Sequence, residues 1–286
     1  MNGEENEMRK RFVKIVMMLV LSMAMLFAVT GNNVVEAAPG TDVVLGQVCL
    51  MAFSYAPYGW MECNGDTISI NDNTSLYSLL GTRFGGNGST TFALPKLDSP
   101  VEGARYCIAT TGIFPSQSGQ SFTAYLGQIE LFPYTFVPGG WARCEGQPLQ
   151  VAQNNALYAI IGNAFGGDTT TMYLPDLRGT EPNENMHYYI CLVGDFPFDG
   201  AYSDSGEYGM MGSINLYKRN TTFAGSGECD GGLLSIPQYT PLYALTGVEY
   251  GGDGSNTFGK PDLRGFTPHQ ALSYYIQTSG TFPQRP

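Results

Sequence analysis

Charge is scarce in this chain. Only 14% of its 286 residues are charged, and 25 acidic residues against 14 basic ones leave a net charge of −11. Four of the basic residues, Arg9, Lys10, Arg11 and Lys14, sit at the start, and no Lys/Arg-rich patch follows them. Without such a patch a protein cannot displace the counterions of nucleic acid or adhere to an anionic membrane, so both partners are excluded. Histidine is nearly absent too. His187 and His269 lack cysteine or carboxylate companions at zinc-ligand spacing, and no metal is expected. There is no Gly-x-Ser-x-Gly elbow, and no carboxylate pair is marked out for glycosidase chemistry. The glycine-rich stretches follow a helix, hold no lysine and run into Leu-Pro, the reverse of a phosphate cradle. Asp168 and Asp253 within them lack the dense oxygen ligands that calcium takes. These absences point to a protein that is not an enzyme and uses no cofactor.

Long apolar runs are also missing, with one exception. The basic cluster is followed by an apolar stretch from Ile15 to Val29, then by small residues at Val35-Glu36-Ala37 and by Pro39. That is the layout of a secretory signal peptide, and the stretch is shorter than the ~20 residues of a membrane span. Residues 1–38 are expected to be a leader cleaved near Ala37, leaving a secreted or cell-surface chain with no membrane segment.

Glycine (37 residues) and aromatic residues (13%) take the place of charge, and they fall at fixed intervals. The order Gly-Gln, Pro-x-Gly-Trp-x-x-Cys-x-Gly, Leu-Tyr-x-(Leu/Ile), Gly-Gly, Leu-Pro and Gly-x-Phe-Pro is spelled twice, and a third copy keeps Cys-x-Gly, Leu-Tyr-x-Leu, Gly-Gly and Gly-x-Phe-Pro in the same order. The Cys-x-Gly marks at 63, 144 and 229 lie roughly 80 to 85 residues apart, too far for a solenoid and far enough for small modules. Modules are expected at 39–118, 119–205 and 206–286.

Within a module, alternation at Gly46-Gln47-Val48-Cys49-Leu50-Met51 and at Gly127 to Phe132 predicts an opening strand. Leu76, Leu79 and Leu80, like Leu157, Ile160 and Ile161, are spaced for one helix face. Thr74, Asn155 and Thr240 stand where N-caps are expected, with Pro241 at the first helical position. Gly81, Gly162 and Gly247 stop the helix. Trp60 and Trp141 suit plugs of a small core, the alternative being a stacking platform for a sugar ring. Arg178 and Arg264 follow Asp176 and Asp262 by two residues, so each either locks its own loop or binds a carboxylate or sugar. The cysteines at 49, 63, 107, 144, 191 and 229 all follow the leader. Bridges Cys63–Cys107 and Cys144–Cys191 are expected, with Cys49 and Cys229 left over; the alternative is buried free thiols.

Taken together, the Gly-Gln-Ile start, Pro-x-Gly-Trp-x-x-Cys-x-Gly, Leu-Tyr-x-Leu-(Leu/Ile)-Gly, (Phe/Tyr)-Gly-Gly-Asp, Leu-Pro-Asp-Leu-Arg-Gly and Gly-x-Phe-Pro resemble the phage tail collar domain, found also in bacterial proteins called microcystin-dependent. The resemblance covers nearly the whole mature chain. It implies an α+β fold of three tandem modules, each with short strands, one short helix and a glycine-rich loop, and assembly with other subunits rather than catalysis. If the collar module packs in threes, the linked copies are expected to pack with pseudo-threefold symmetry. The copies depart unequally. Ser226 replaces Trp60 and Trp141, Ser213 replaces Gln47 and Gln128, and the first copy has Lys96-Leu97-Asp98 in place of Asp-Leu-Arg. The expected function is a structural assembly protein of the cell surface or an appendage. The alternative is an adhesin for surface glycan. Asp168, Asp253, Arg178 and Arg264 are the candidate ligand or assembly contacts.

Overall fold

The computed structural model describes residues 43–117, 124–196, 209–221 and 225–285. The expected leader, residues 1–38, lies outside the described residues. All of the described residues belong to one unit, Ala38–Pro286.

Each copy begins where a glycine turns the chain through a positive φ, at Gly46 (+83°), Gly127 (+80°) and Gly212 (+80°). The opening strands follow: β1 (Val48–Met51), β6 (Ile129–Phe132) and β11 (Ser213–Lys218). A short strand comes after the turn: β2 (Trp60–Glu62), β7 (Trp141–Arg143) and β12 (Ser226–Glu228). Next is a small separate hairpin, β3 (Thr67–Ser69) with β4 (Thr91–Ala93), β8 (Pro148–Gln150) with β9 (Thr171–Tyr173), and β13 (Leu233–Ser235) with β14 (Thr257–Gly259). Between the arms of each hairpin stands one helix: α1 (Thr74–Leu80), α2 (Asn155–Ile161) or α3 (Thr240–Thr246). The copy closes on β5 (Arg105–Ala109), β10 (His187–Cys191) or β15 (Leu272–Gln277). Mostly strand with three short helices among the described residues, this is the small α+β module expected.

The three copies share one nine-stranded sheet. Each closing strand lies between its own opening strand and its own short strand. The free edges of the opening strands meet one another, with Val48 opposite Leu131, Ile129 opposite Leu216 and Ile214 opposite Leu50. In every case the first aliphatic residue of one strand meets the second leucine position of another. All six residues are at most 5% exposed, and each such burial contributes roughly 1.5–3 kcal/mol before entropy is charged against it. Across from Leu50, Leu131 and Leu216 stand Tyr106, Tyr188 and Tyr274. Tyr106, Tyr188 and Tyr274 lie near enough to perturb one another's hydroxyls, closing this face of the junction with a tyrosine from each copy.

The helices cover that same face through Leu76, Leu79 and Leu80, through Leu157 and Ile161, and through Leu242. At seven residues each they cannot stand alone. Tyr77 and Tyr243 donate to the carbonyls of Gly88 and Gly254 (3.0 and 3.2 Å), tying helix to glycine loop. In the loops, Gly86, Gly167 and Gly252 have φ of +92°, +107° and +95°, and a β-carbon on any of them would strike the backbone of the following strand. Only glycine fits there.

Two expectations need correction. The N-caps are Asn73, Asn154 and Tyr239, without side-chain caps, and Thr74, Asn155 and Thr240 are already helical. The threonine hydroxyls turn backward instead, Thr240 to the Ile236 carbonyl (2.8 Å) and Thr74 to that of Ile70 (3.2 Å). Pro241 is accordingly one place inside the helix rather than its first residue. Nor does the register allow the expected bridges. Cys107 is opposite Glu62 and Cys191 opposite Trp141, while the amides of Cys63 and Cys144 bond the carbonyls of Tyr106 and Tyr188. Cys63 and Cys107, like Cys144 and Cys191, therefore point to opposite faces. The residue that does face Cys107 is Cys49, whose Sγ turns to the Ile214 carbonyl at 3.8 Å.

All six cysteines are buried as free thiols, and burial pushes their pKa values up, Cys107 and Cys191 to about 12. Iodoacetamide at pH 8 should leave the folded protein essentially unlabelled and modify all six after unfolding without reductant. Recovery of a Cys63–Cys107 or Cys144–Cys191 peptide by mass mapping would contradict the register.

Candidate functional site

The exposed candidates are used locally. The Asp253 Oδ1 accepts from the amides of Ser255, Asn256 and Thr257 at 2.7–2.8 Å. The Asp168 Oδ1 accepts from the Thr170 and Thr171 amides and the Thr170 hydroxyl at 2.7–2.9 Å. Asn87 does the same work in the first copy, taking the amides of Ser89, Thr90 and Thr91 at 2.8–3.0 Å. These bonds favour the ionised form and lower both aspartate pKa values. Arg178 grips Asp176 through two contacts (2.8 and 2.5 Å), and Arg264 grips Asp262 in the same way (2.9 and 2.6 Å). Each pair closes its own turn, exposed on both sides. The structure does not bring Asp168, Asp253, Arg178 and Arg264 to one place.

What it does bring together lies on the opposite face of the sheet from the helices. Where the three opening strands meet, that face holds a cavity of about 100 Å³. Its floor is polar, with Gln47, Gln128 and Ser213 at one equivalent position and Cys49, Glu130 and Asn215 at the next. Trp60 and Trp141, at most 9% exposed, form part of its walls, and Trp141 also packs edge-on against Phe132 at 5.3 Å. In the third copy the tryptophan position is Ser226, and its cross-strand neighbour is Gln277, where the other copies have Ala109 and Cys191. Gln277 therefore reaches the cavity from the side on which the aromatic wall is missing.

Glu130 is the buried acid of this floor, 7% exposed. The Gln128 side-chain amide donates to its Oε1, and the nearby Gln47 side chain also favours its ionised form. Both glutamines are held in place by the backbone, since their Oε1 atoms accept from the amides of Tyr125 (3.0 Å) and Val44 (3.3 Å). Desolvation outweighs these effects and pushes the Glu130 carboxyl up to about 7. Four nearby titratable groups, Cys49, Cys191, Tyr134 and Tyr217, are themselves pushed up by burial and stay neutral through that range.

Sequence reasoning missed this site. An acid between Ile129 and Leu131 reads as the solvent face of an alternating strand, and it becomes interior only because three modules share one sheet. The available signals were the repeated Gln47 and Gln128 and the departures at Ser213 and Ser226, which mark the positions around the cavity.

A folded pKa above the unfolded one means the native state holds more protons between pH 4.5 and 7, so stability falls as pH rises through that window. The loss amounts to about 3 kcal/mol at most. Glu130→Gln should abolish it and unfold at higher urea than the parent at pH 8, with little difference at pH 5. His187, held below its ordinary pKa by burial and by Arg143, acts in the opposite sense in both proteins, so it cancels in the comparison. Parallel pH profiles for the two would refute the buried-acid assignment.

The geometry of the copies agrees with the comparison to known proteins. The Phage Tail Collar Domain family matches residues 46–101, 127–182 and 212–268, more than half of the chain. No curated protein and no solved structure matches the chain significantly. Each matched segment holds one opening strand, one short strand and one hairpin with its helix. The chain belongs to the phage tail collar domain family, a structural family, and carries that domain three times in tandem.

Proposed function

We propose that the chain is an exported, non-enzymatic assembly protein of the bacterial cell surface or an extracellular appendage. In this reading three linked collar modules form a pseudo-threefold unit within one polypeptide. The observation that carries it is the cyclic register of the opening strands, in which copy one meets copy two, two meets three and three meets one through equivalent residues. A heterologous contact that closes in this way builds a ring rather than a filament. The basic-then-apolar start of the chain supports export.

Contacts with further subunits are supported by the phenylalanines of the Gly-x-Phe-Pro marks. Phe114, Phe196 and Phe282 are 51%, 37% and 46% exposed at equivalent places, and exposed apolar groups repeated in this way suit a protein interface. Arg178, Arg264, Asp168 and Asp253 add exposed charge to the modules. The adhesin reading is weaker, because the Oδ1 atoms of Asp168 and Asp253 are already committed to their own loops.

Antibody-gold electron microscopy on intact cells of the source organism tests the function. The expected result is label on an ordered surface structure, with most of it lost when Phe114, Phe196 and Phe282 are all changed to Ser. A chain found free in the medium, or retained in the cytoplasm, would overturn the proposal.

A further inference from the structure

The cavity on the helix-free face holds two acids and, among the described residues lining it, no base to balance them. Glu130 supplies a carboxylate to its floor and Asp195 another to its rim. A second, independent feature points the same way. Gln277 is 2% exposed, lines the cavity, and its Oε1 has no hydrogen-bond partner among the described residues. A buried acceptor left alone costs its full desolvation, so such an atom calls for a donor. Asn215 brings a further side-chain oxygen, met among the described residues only by the Cys49 thiol at 3.7 Å.

These acceptors come from three strands, Glu130 from β6, Asn215 from β11 and Gln277 from β15. The Gln128 amide group is turned to the Glu130 carboxylate, and with the nearby Gln47 side chain it keeps that group able to ionise. The upper walls are aromatic, with Trp60, Trp141 and Tyr217, and aromatic faces favour a cation. A cation bearing several N–H donors and a short apolar tail satisfies every one of these features. A bare metal ion would leave the apolar walls unused, and an anion would meet two carboxylates.

We infer that this cavity is a binding site for a small primary amine, whose ammonium group bonds Glu130, Asn215 and Gln277 and whose alkyl chain lies between the tryptophans. The size is consistent. About 100 Å³ is somewhat less than the ~150 Å³ that accommodates benzene, and it admits a chain of a few carbons. The site goes beyond the assembly reading and stands whether or not the protein is a surface component. The third copy's departures create it, because a tryptophan at 226 and a small residue at 277 would fill the wall and remove the acceptor.

The test is a titration of the mature chain with n-butylammonium chloride at constant ionic strength, followed by NMR of the Trp60 and Trp141 indole N–H groups and the side-chain amides of Gln47, Gln128 and Gln277. Saturable shifts at these groups are expected. 1-Butanol, the neutral isostere, should bind at least about tenfold more weakly, as should the amine to Glu130→Gln, in keeping with the worth of a charged hydrogen bond. Gln277→Leu should weaken the amine alone and leave 1-butanol unaffected or bound more tightly. No saturable shift in the parent protein, or equal binding of amine and alcohol, overturns the proposal.

Discussion

A four-residue strand such as Val48–Met51 has two edges of backbone N–H and C=O groups, and its own module can pair only one of them. The closing strand takes that edge. The other edge is divided between the opening strands of the two remaining copies, so each copy depends on the other two. An unpaired buried edge carries a penalty for every orphaned group. This shared junction is the constraint from which the rest follows. It places six aliphatic residues and three tyrosines at one point, and it fixes which side of every strand the helices cover. It also leaves the opposite face with residues that no single module would bury.

That division of faces explains why the copies have diverged as they have. On the helix side, equivalent residues stay alike: Leu50, Leu131 and Leu216, with Tyr106, Tyr188 and Tyr274 across from them. A change there is felt beyond its own copy, because each opening strand pairs with the other two in the ring. On the other side the same positions read Cys49, Glu130 and Asn215, and Gln47, Gln128 and Ser213. A face surrounding a cavity tolerates such variety, and variety within a repeat is what turns a structural junction into a place with chemistry of its own.

Much of the module was legible in the sequence because local rules decide it. The aliphatic spacing of Leu76, Leu79 and Leu80 and the stop at Gly81 suffice to define α1. The helix starts were read one residue late, because Thr74 and Thr240 hydrogen-bond backward to Ile70 and Ile236 instead of capping forward. The cysteine pairing failed for a similar reason of parity. A single step along a strand exchanges faces, so the presence of Cys63 and Cys107 in one module says nothing about which way each side chain points. The cavity was illegible for a different reason. Its residues come from three copies, and no pattern inside one copy reports what the other two place beside it.

The central claim, that three modules form one interdependent structure through the opening strands, is tested most directly by native-state hydrogen exchange read by mass spectrometry in low denaturant. Peptides covering Val48–Met51, Ile129–Phe132 and Ser213–Lys218 should exchange with a single opening free energy equal to that of global unfolding. Three separate opening energies, with one module exchanging while the other two stay protected, would contradict it.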